Sequence, residues 1–294
     1  MNPFISIIVP TYNRANLIGD TILSLINQNY NNYEIIVVDD GSIDNTAEVI
    51  AGFNDPKIKY FKKINEERGM ARNYGVTHSK GEYVNFFDSD DIAFQDHLLT
   101  AAATINNLKM PEIFSLGYNI ICNGKLEKEV SPEGQLNYRI QRKNIISPNA
   151  VFIRKDIAVK YPFSSNRDIA ISEDLLLWLQ LSARYIIYAI PIITCSLIQH
   201  DNRSMVTDQP EKTLLRMKLL LDELKTDEIY MNKYGKRYLP FVKTEKMLSA
   251  SLTYAQTKRK SKALGLLIKS LAITPSQLFN RRFLAISKYL LVRW

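Results

Sequence analysis

Carboxylate residues are concentrated at the ends of short apolar segments in the first third of the chain. The segments are 5–14, 34–42 and 83–91, and each is an apolar run that ends abruptly in polar or acidic residues. Such a run is typical of a buried strand that delivers functional groups to a sheet edge. Because ligands of open α/β sheets lie beyond the carboxyl ends of the strands, the three ends predict one shared site. Carboxylates there favour a divalent cation and, with it, a phosphate-bearing ligand.

The elements that would position these residues alternate between strand and helix. Strands are predicted at Ile5–Val9, Tyr33–Val38, Ile58–Phe61 and Tyr83–Phe87, and helices at Asn16–Asn27, Asn45–Phe53, Gly69–His78 and Gln95–Asn107. This rhythm predicts an α/β fold with a mostly parallel sheet flanked by helices. Further strands are expected at Ile113–Cys122, Ala150–Ile153, Tyr185–Ala189 and Ile192–Ile198, with a turn at Asn123-Gly124. A helix is expected at Ser172–Ala183, with Ser172 as its N-cap.

Helix-forming composition takes over from about Pro210. Helices are predicted at Glu211–Lys225, Pro240–Gln256, Lys260–Ala272 and from beyond Pro275 to Trp294. We therefore predict two domains, a catalytic domain of residues 1–208 and a helical C-terminal region of residues 209–294, with the boundary near Thr207–Pro210.

Composition excludes several classes of protein. The 294 residues are 46% hydrophobic and 23% charged, which indicates a folded globular chain. The two cysteines, Cys122 and Cys195, have no metal-type spacing, so we expect a reducing compartment and no disulfide framework. We expect no secretory signal, because residues 1–3 run directly into the first predicted strand without a basic region or cleavage site, and we expect no membrane span, because no apolar stretch is long enough to cross a bilayer. A dinucleotide-dependent oxidoreductase is excluded because the chain has no Gly-x-Gly-x-x-Gly motif.

The positive charge lies at the C-terminal end. The chain carries 38 basic and 30 acidic residues, and ten of the basic residues but no acid follow Glu245. The first 245 residues therefore have a net charge of 28 − 30 = −2. The tail also has apolar residues at helical spacing, which are Phe279, Phe283, Ile286, Leu290 and Trp294. This pattern predicts attachment to an anionic membrane surface, with packing inside a helical region or against a protein partner as the alternative. Nucleic-acid binding is not favoured.

Taken in order, the three segments resemble the start of a family 2 glycosyltransferase with the GT-A fold, of the inverting, bacterial surface-polysaccharide type. The resemblance covers roughly the first 205 residues. It implies a UDP-sugar donor, Mn²⁺ or Mg²⁺, and a glycan or polyprenyl-diphosphate-linked glycan as acceptor. It also implies a cytoplasmic enzyme, peripheral at the inner face of the cell membrane. The oligomeric state does not follow from it.

The resemblance also assigns roles to residues near the strand ends. Asp88-Ser89-Asp90 resembles the Asp-x-Asp motif, in which Asp90 would bind the metal, Asp88 the ribose or metal-bound waters, and Asp91 would substitute in a shifted register. His200 would complete the metal or diphosphate site, or be an ordinary loop histidine. The remaining donor-binding residues that it implies are Pro10, Thr11, Tyr12, Arg14, Asp40, Arg68, Arg72 and Ser89. Among these, Asp40 would read the uracil imide, and Arg72, with Arg68, would reach the diphosphate or the base. The alternatives are that Asp39 and Asp40 cap the following helix and that Arg68 is a surface charge.

Glu173-Asp174 resembles the Glu-Asp motif of the same family. Inversion needs one base on the acceptor side, and we assign that role to Asp174, with Glu173 as an orienting or acceptor-binding group. The alternative is that both acids only stabilise a helix N-terminus. Specificity for donor and acceptor is expected in the loops 123–149 and 164–171.

Two other functions fit part of this pattern. A phosphatase of the haloacid dehalogenase type also has Asp-x-Asp after an apolar strand, but it would leave Asp39-Asp40 and Glu173-Asp174 unexplained. A non-catalytic scaffold that binds a nucleotide-sugar is the other alternative, although every expected catalytic position is filled.

Overall fold

The computed structural model describes residues 2–200, 209–279 and 281–291. Within them the chain forms two compact units, one of residues 2–137 and 145–200 and one of residues 138–144, 209–279 and 281–291. The segment 138–144 groups with the helical unit, which the sequence pattern did not indicate. The boundary predicted near Thr207–Pro210 adjoins residues 201–208, which lie outside the described residues, and it stays a prediction.

The first unit contains ten strands and six α-helices in its described residues. The strands are β1 (Ile5–Thr11), β2 (Tyr33–Asp39), β3 (Ile58–Lys62), β4 (Tyr83–Phe86), β5 (Ile92–Ala93), β6 (Ile113–Cys122), β7 (Lys125–Val130), β8 (Gly134–Gln135), β9 (Val151–Arg154) and β10 (Ile187–Gln199). The helices are α1 (Ile18–Ile26), α2 (Thr46–Ala51), α3 (Arg68–His78), α4 (His97–Asn107), α5 (Lys155–Lys160) and α6 (Glu173–Arg184). Short 3-10 turns occupy Pro148–Ala150 and Arg167–Ile169.

All ten strands belong to one sheet, whose main path runs β3-β2-β1-β4-β9-β6-β10-β5. The strands β3, β2, β1 and β4 are parallel, as predicted for the nucleotide-binding half. The rest of the sheet is mixed, because β9 is antiparallel to both β4 and β6 while β10 is parallel to β6. The strands β6 and β7 form a hairpin through Asn123 and Gly124, which have φ of 50° and 71°. Positive φ at both turn residues suits the twist of a two-residue hairpin.

The strands of this unit are held in place by an apolar core, and this positions their ends. Every residue of β1 and β2 is buried, as expected for strands covered by helices on both faces. On α1, Ile18, Ile22 and Leu25 lie at helical spacing and belong to the same apolar cluster as the strand residues. Helix α3 lies so close to β1 that a Cβ on Gly75 would come within 2.3 Å of Ile8 Cγ2. Glycine at this position therefore permits the close packing of α3 on the sheet.

Most element predictions are confirmed with shifts of a few residues, and β6 matches its predicted bounds. The division of 185–198 into two strands is wrong, because β10 is continuous through Pro191. Its pairing with β6 shifts register between Ala189 and Ile193 and again before Ser196, and such irregularities accommodate a residue without an N–H. Ser172 does occupy the N-cap position of α6, but its side chain makes no capping hydrogen bond.

The second unit is helical. Its elements are α7 (Pro210–Thr226), α8 (Glu228–Tyr230), a π-helical turn (Met231–Gly235), α9 (Lys236–Gln256), α10 (Lys260–Ile273), a 3-10 turn (Pro275–Phe279) and α11 (Arg281–Leu291). The predicted start of α9 at Pro240 is wrong, since the helix begins at Lys236 and includes the proline. Among the helices that the structure describes, none has both the length and the apolar character needed to cross a bilayer.

The apolar stripe predicted for membrane contact lies partly inside this unit. Ile286 is fully buried in a cluster of α9 and α10 residues, and Phe283 and Leu290 pack against that cluster. Phe279 is 90% exposed, and Trp294 lies outside the described residues. Apolar side chains outside that stripe are exposed as well, among them Leu264, Ile268, Leu284 and Leu291.

Candidate active site

The loops that follow β1 and β2 are held together by hydrogen bonds. The Asp40 amide donates to the Thr11 carbonyl at 2.8 Å, which continues the ladder between the strands. Beyond the strands, the Asn13 amide donates to Ser42 Oγ at 2.8 Å and the Ile43 amide donates to Asn13 Oδ1 at 2.9 Å. Asn13 has φ of 51°, a left-handed conformation that asparagine tolerates better than most residues. The predicted loop 10–14 therefore lies next to Asp40.

Asp39 and Asp40 shape this edge in different ways. Asp39 is fully buried and accepts hydrogen bonds from the Ser42 amide at 2.7 Å and from the Tyr60 hydroxyl. Asp40 uses Oδ1, which accepts from Lys63 Nζ and from the Glu66 amide, both at 3.0 Å. The alternative that these acids cap α2 is wrong.

The cap of α2 is provided by a different carboxylate. Asp44 Oδ1 accepts from the Thr46 amide at 3.1 Å, and Asp44 Oδ2 accepts from the Ala15 amide at 3.0 Å. This residue thus supplies the acceptor at the helix N-terminus and also ties α2 to the first loop. Asp39 and Asp40 therefore do not provide this cap.

Three aspartates after β4 form an acidic cluster, with one oxygen of each of Asp88, Asp90 and Asp91 within 4.8 Å of the others. Asp91 is fully buried, and its two oxygens accept from Asn149 Nδ2 and from the Ile198 amide, both at 2.7 Å. Asp88 and Asp90 are only partly buried. The register that places Asp88 and Asp90 toward a ligand is therefore favoured over one that uses Asp91.

Asn149 supports this cluster and was not identified from the sequence. It is fully buried, and its Oδ1 accepts from the Asp88 amide at 3.0 Å while its Nδ2 donates to Asp91. Its own carbonyl accepts from Asn85 Nδ2 at 2.8 Å. The only sequence signal was an asparagine after Pro148 and just before a predicted strand, which is common in ordinary loops.

Two basic side chains lie close to the Asp90 carboxylate. His200 Nε2 lies 2.9 Å from Asp90 Oδ2, and Arg14 Nη2 lies 3.6 Å from the same oxygen. The structure thus brings His200, at the end of β10, to the acidic cluster. The rest of the motif that suggested it, residues 201–204, lies outside the described residues.

The donor set at this edge fits a hard divalent cation. Asp88 and Asp90 offer carboxylate oxygens, which Mg²⁺ and Mn²⁺ prefer, and the His200 imidazole is an additional ligand that Mn²⁺ accepts. Asp91 and Asn149 fix the backbone on which the two ligands sit. Asp88, Asp90 and His200 would therefore hold the ion.

Arg72 connects the acidic cluster to the Glu-Asp pair of α6. The Arg72 side chain is 1% exposed, and it donates from Nη2 to Asp88 Oδ1 at 2.7 Å and from Nη1 to Glu173 Oε1 at 2.8 Å. Burial disfavours its charge, but the carboxylates of Asp88, Glu173 and Asp174 raise the pKa of Arg72 above its ordinary value. Arg68 Nε lies 3.9 Å from the same Glu173 oxygen, with its side chain 33% exposed. Arg72 thus holds two carboxylates in this structure, and its expected contact with the diphosphate or the base stays a prediction.

Glu173 and Asp174 start α6 but differ in their surroundings. Glu173 is buried and held by Arg72, whereas Asp174 is only partly buried and its Oδ1 accepts from the Leu175 amide at 2.7 Å. Glu173 also borders a small cleft that residues of the loop 164–170 line. This loop, one of the two in which specificity is expected, thus lies beside Glu173.

The other predicted residues lie on the same edge with different exposure. Pro10, Thr11 and Ser89 are buried, and Tyr12 is 47% exposed. Within the part of the chain that the structure describes, Thr11 Oγ1, Arg72 Nε and Glu173 Oε2 are buried without a hydrogen-bond partner. Buried polar atoms normally have partners, so these atoms are suited to contacts with a ligand.

The fold is shared with proteins whose structures were solved in complex with nucleotide-sugars. The complex of residues 1–349 of Staphylococcus aureus TarS with UDP-GlcNAc superimposes with a TM-score of 0.65 at 20% identity, over 98% of this chain and 88% of that chain. The mannosyltransferase PcManGT from Pyrobaculum calidifontis, in complex with GDP-Man and Mn²⁺, gives 0.59 at 18% identity, over 99% and 85%. The α/β sheet flanked by helices is therefore a GT-A fold, followed by a helical C-terminal region, as predicted.

Sequence comparison then gives the family. The model of glycosyl transferase family 2 matches residues 6–152, which are 147 of the 294 residues. The chain belongs to glycosyl transferase family 2. The phosphatase alternative has no support in this assignment.

Individual relatives match over the N-terminal part of the fold. An uncharacterized glycosyltransferase of Rickettsia conorii is 43% identical over 95 residues, which are 32% of this chain and 16% of that protein. GlyA of Streptococcus pneumoniae is 42% identical over 98 residues, or 33% and 14%. GlyG of the same species is 32% identical over 122 residues, or 40% of each. The chain thus spans well under half the length of these relatives.

Proposed function

We propose that the protein is an inverting, metal-dependent glycosyltransferase that moves a sugar from a UDP-sugar to a hydroxyl of a glycan or lipid-linked glycan. The observation that carries this proposal is that the polar residues after β4 differ in their surroundings. Asp91 and Asn149 are used for structure, while Asp88 and Asp90 are only partly buried and His200 contacts Asp90. We place the reaction in the synthesis of a bacterial surface polysaccharide. Support from the neighbours is that TarS was solved with UDP-GlcNAc and PcManGT with GDP-Man and Mn²⁺.

Donor binding would use the edge formed by the first two loops. Asp40 suits recognition of a uracil imide because a carboxylate accepts an N–H, and Tyr12 offers an exposed aromatic face. Thr11 Oγ1 is buried and without a partner in the described residues, so it can bond a polar group of the nucleotide. A divalent cation at Asp88 and Asp90 would neutralise the charge that develops on the leaving diphosphate.

Transfer would proceed by a single displacement. Asp174 takes the proton of the acceptor hydroxyl, the acceptor oxygen bonds to the anomeric carbon, and the bond from that carbon to UDP breaks with the electron pair leaving on UDP. Because attack and departure occur on opposite faces, the anomeric configuration inverts. Asp174 suits the role of base better than Glu173, since Glu173 is buried in an ion pair with Arg72.

The test is UDP binding by calorimetry with and without Mn²⁺, followed by a panel of nucleotide-sugars for donor hydrolysis. We expect Mn²⁺-dependent UDP affinity in the wild-type protein and its loss in Asp90→Asn. Asp96→Asn is the matched control, because Asp96 is an exposed aspartate six residues along the chain whose side chain accepts from Asn29.

Each result has a separate meaning. Mn²⁺-dependent binding that survives in Asp90→Asn would remove Asp90 from the cation site. Binding of UDP without turnover of any donor would favour the non-catalytic scaffold. A product with retained configuration, measured by NMR, would contradict the single displacement.

We also propose that the helical C-terminal region attaches to an anionic membrane surface at the inner face of the cell membrane. The surface that supports this differs from the predicted stripe, because Ile286 packs inside the unit. The apolar side chains Leu264 and Ile268 of α10 are 47% and 57% exposed, and Leu291 of α11 is 82% exposed. They lie in the part of the chain that has ten basic residues and no acid, a combination suited to anionic lipid.

A further inference from the structure

Arg72 lies between the two functional halves of the candidate active site. One arm of its guanidinium holds Asp88, a residue of the acidic cluster, and the other holds Glu173, next to the assigned base. The partners are 16 and 101 residues away in the sequence. The guanidinium also lies over the Phe163 ring, 5.2 Å from its centroid, which fixes its plane.

The arrangement is poorly explained as an ion pair for stability alone. Fully buried pairs contribute little net stability unless every polar atom is satisfied, because desolvation offsets the attraction. Arg72 Nε and Glu173 Oε2 are buried without a partner among the described residues. Asp88 is 22% exposed, so the link runs from the enclosed Glu173 to a carboxylate that faces the cation site.

We propose that Arg72 is a positioning residue that couples the cation site to the acceptor-side acids. This inference rests on the proposed function, in which Asp88 lies at the cation site and Asp174 is the base. The charge of Arg72 is shared between Asp88 and Glu173. A cation bound at Asp88 competes with Arg72 for that carboxylate, and the freed share of the guanidinium then holds Glu173 more tightly beside the base.

The proposal predicts that one variant binds Mn²⁺ more tightly than the wild-type protein does. Arg72→Met keeps an unbranched side chain that can fill the apolar part of the site and removes the charged guanidinium, so the competition for Asp88 disappears. We expect Mn²⁺ affinity, measured by electron paramagnetic resonance without nucleotide, to increase by roughly tenfold, the order expected when a nearby like charge is removed. Transfer to the acceptor is expected to fall at the same time, because Glu173 loses its partner.

Arg154→Met is the matched control. Arg154 is likewise held by two carboxylates, with Nε 2.7 Å from Asp156 Oδ1 and Nη1 3.8 Å from Glu112 Oε1, but it lies at the end of β9. Its loss removes an arginine and an ion pair without touching the acidic cluster, and we expect wild-type Mn²⁺ affinity.

A double variant separates the proposed loss of positioning from a folding defect. Arg72→Met leaves Glu173 as a buried carboxylate without its partner, whereas Arg72→Met with Glu173→Gln removes both charges, and circular dichroism would check its fold. In the double variant, the Mn²⁺ affinity should again exceed that of the wild type, and transfer should be no slower than in Arg72→Met alone. The positioning role is refuted if Mn²⁺ affinity is unchanged or weaker in both variants. It is also refuted if adding Glu173→Gln to Arg72→Met slows transfer by the same factor as Glu173→Gln does alone. A wild-type protein that binds no Mn²⁺ would refute the proposed cation site first, and the coupling with it.

Discussion

A buried histidine behind the acidic cluster makes the stability of the first unit depend on pH. His97, on α4, is fully buried, and its Nδ1 lies 2.8 Å from Thr194 Oγ1. The ring packs against Phe87 and Phe152, with centroids 5.6 Å and 5.1 Å away. Burial lowers the pKa of His97 from 6.5 to about 3. The folded protein therefore keeps this imidazole neutral at pH values at which the unfolded chain protonates it.

The magnitude follows from the difference between the two states. Below pH 6.5 the unfolded state binds more protons, so the free energy of unfolding falls as the pH falls, with a slope that approaches ~1.4 kcal/mol per pH unit. The contribution is present above pH 6.5 and is lost progressively down to the folded pKa of about 3. Integration from pH 7 to pH 5 gives a loss of about 2 kcal/mol from this residue alone.

The assay is urea unfolding of wild-type protein and His97→Gln at several pH values, followed by tryptophan fluorescence, since Trp178 is buried in the same unit. His97→Gln lowers stability at pH 7, but the wild type should lose about 2 kcal/mol more than the variant between pH 7 and pH 5. His78→Gln, at the exposed end of α3, is the control and should keep the wild-type slope. Equal pH slopes in the wild type and His97→Gln would refute the reasoning.

Three further predictions concern activity, the cluster and the tail. Asp174→Asn should retain UDP-sugar affinity but slow transfer by roughly 10²–10⁴-fold, measured by single-turnover kinetics; near-normal transfer would move the base elsewhere. Asn149→Ala should lower the free energy of unfolding by roughly 3 kcal/mol and weaken Mn²⁺ binding, because a buried carboxylate loses its donor. A loss of stability with unchanged Mn²⁺ affinity would contradict the bracing role. Leu264→Ser with Ile268→Ser should reduce binding to anionic liposomes by roughly tenfold at low salt, while Leu126→Ser, 54% exposed on β7, should not. Wild-type protein that ignores such liposomes would contradict the attachment.

The sequence predicts the parts of the site that depend on local pattern. The ends of β1, β2 and β4 follow from apolar runs, and parallel pairing brings Asp40 and Asp88 to one edge. Contacts between distant segments carry no such signal. Asn149 reaches Asp88 across 61 residues, and Arg72 reaches Glu173 across 101. Both depend on the packing of whole elements, which periodicity does not encode.

The C-terminal helices also show what the spacing of apolar residues does not predict. Its helical spacing is correctly predicted, but spacing alone cannot tell which partner covers an apolar stripe. Ile286 is covered by other helices of its own unit, and the exposed apolar surface includes Leu264 and Ile268 on a different helix. A truncation after Thr274 would therefore remove part of the unit's core, and substitution of exposed residues such as Leu264 and Ile268 tests attachment more cleanly.

Each of the two acidic pairs at this site contains one enclosed carboxylate and one partly exposed carboxylate. In Asp90-Asp91 the second carboxylate is enclosed with a donor on each oxygen, and the first faces the ligand side. In Glu173-Asp174 the first is enclosed by Arg72, and the second is partly exposed. An enclosed carboxylate holds the backbone of its neighbour in place, and we assign the partly exposed one to the cation or to the proton. Loss of an enclosed member should therefore reduce stability and activity together, whereas loss of an exposed member should reduce activity alone.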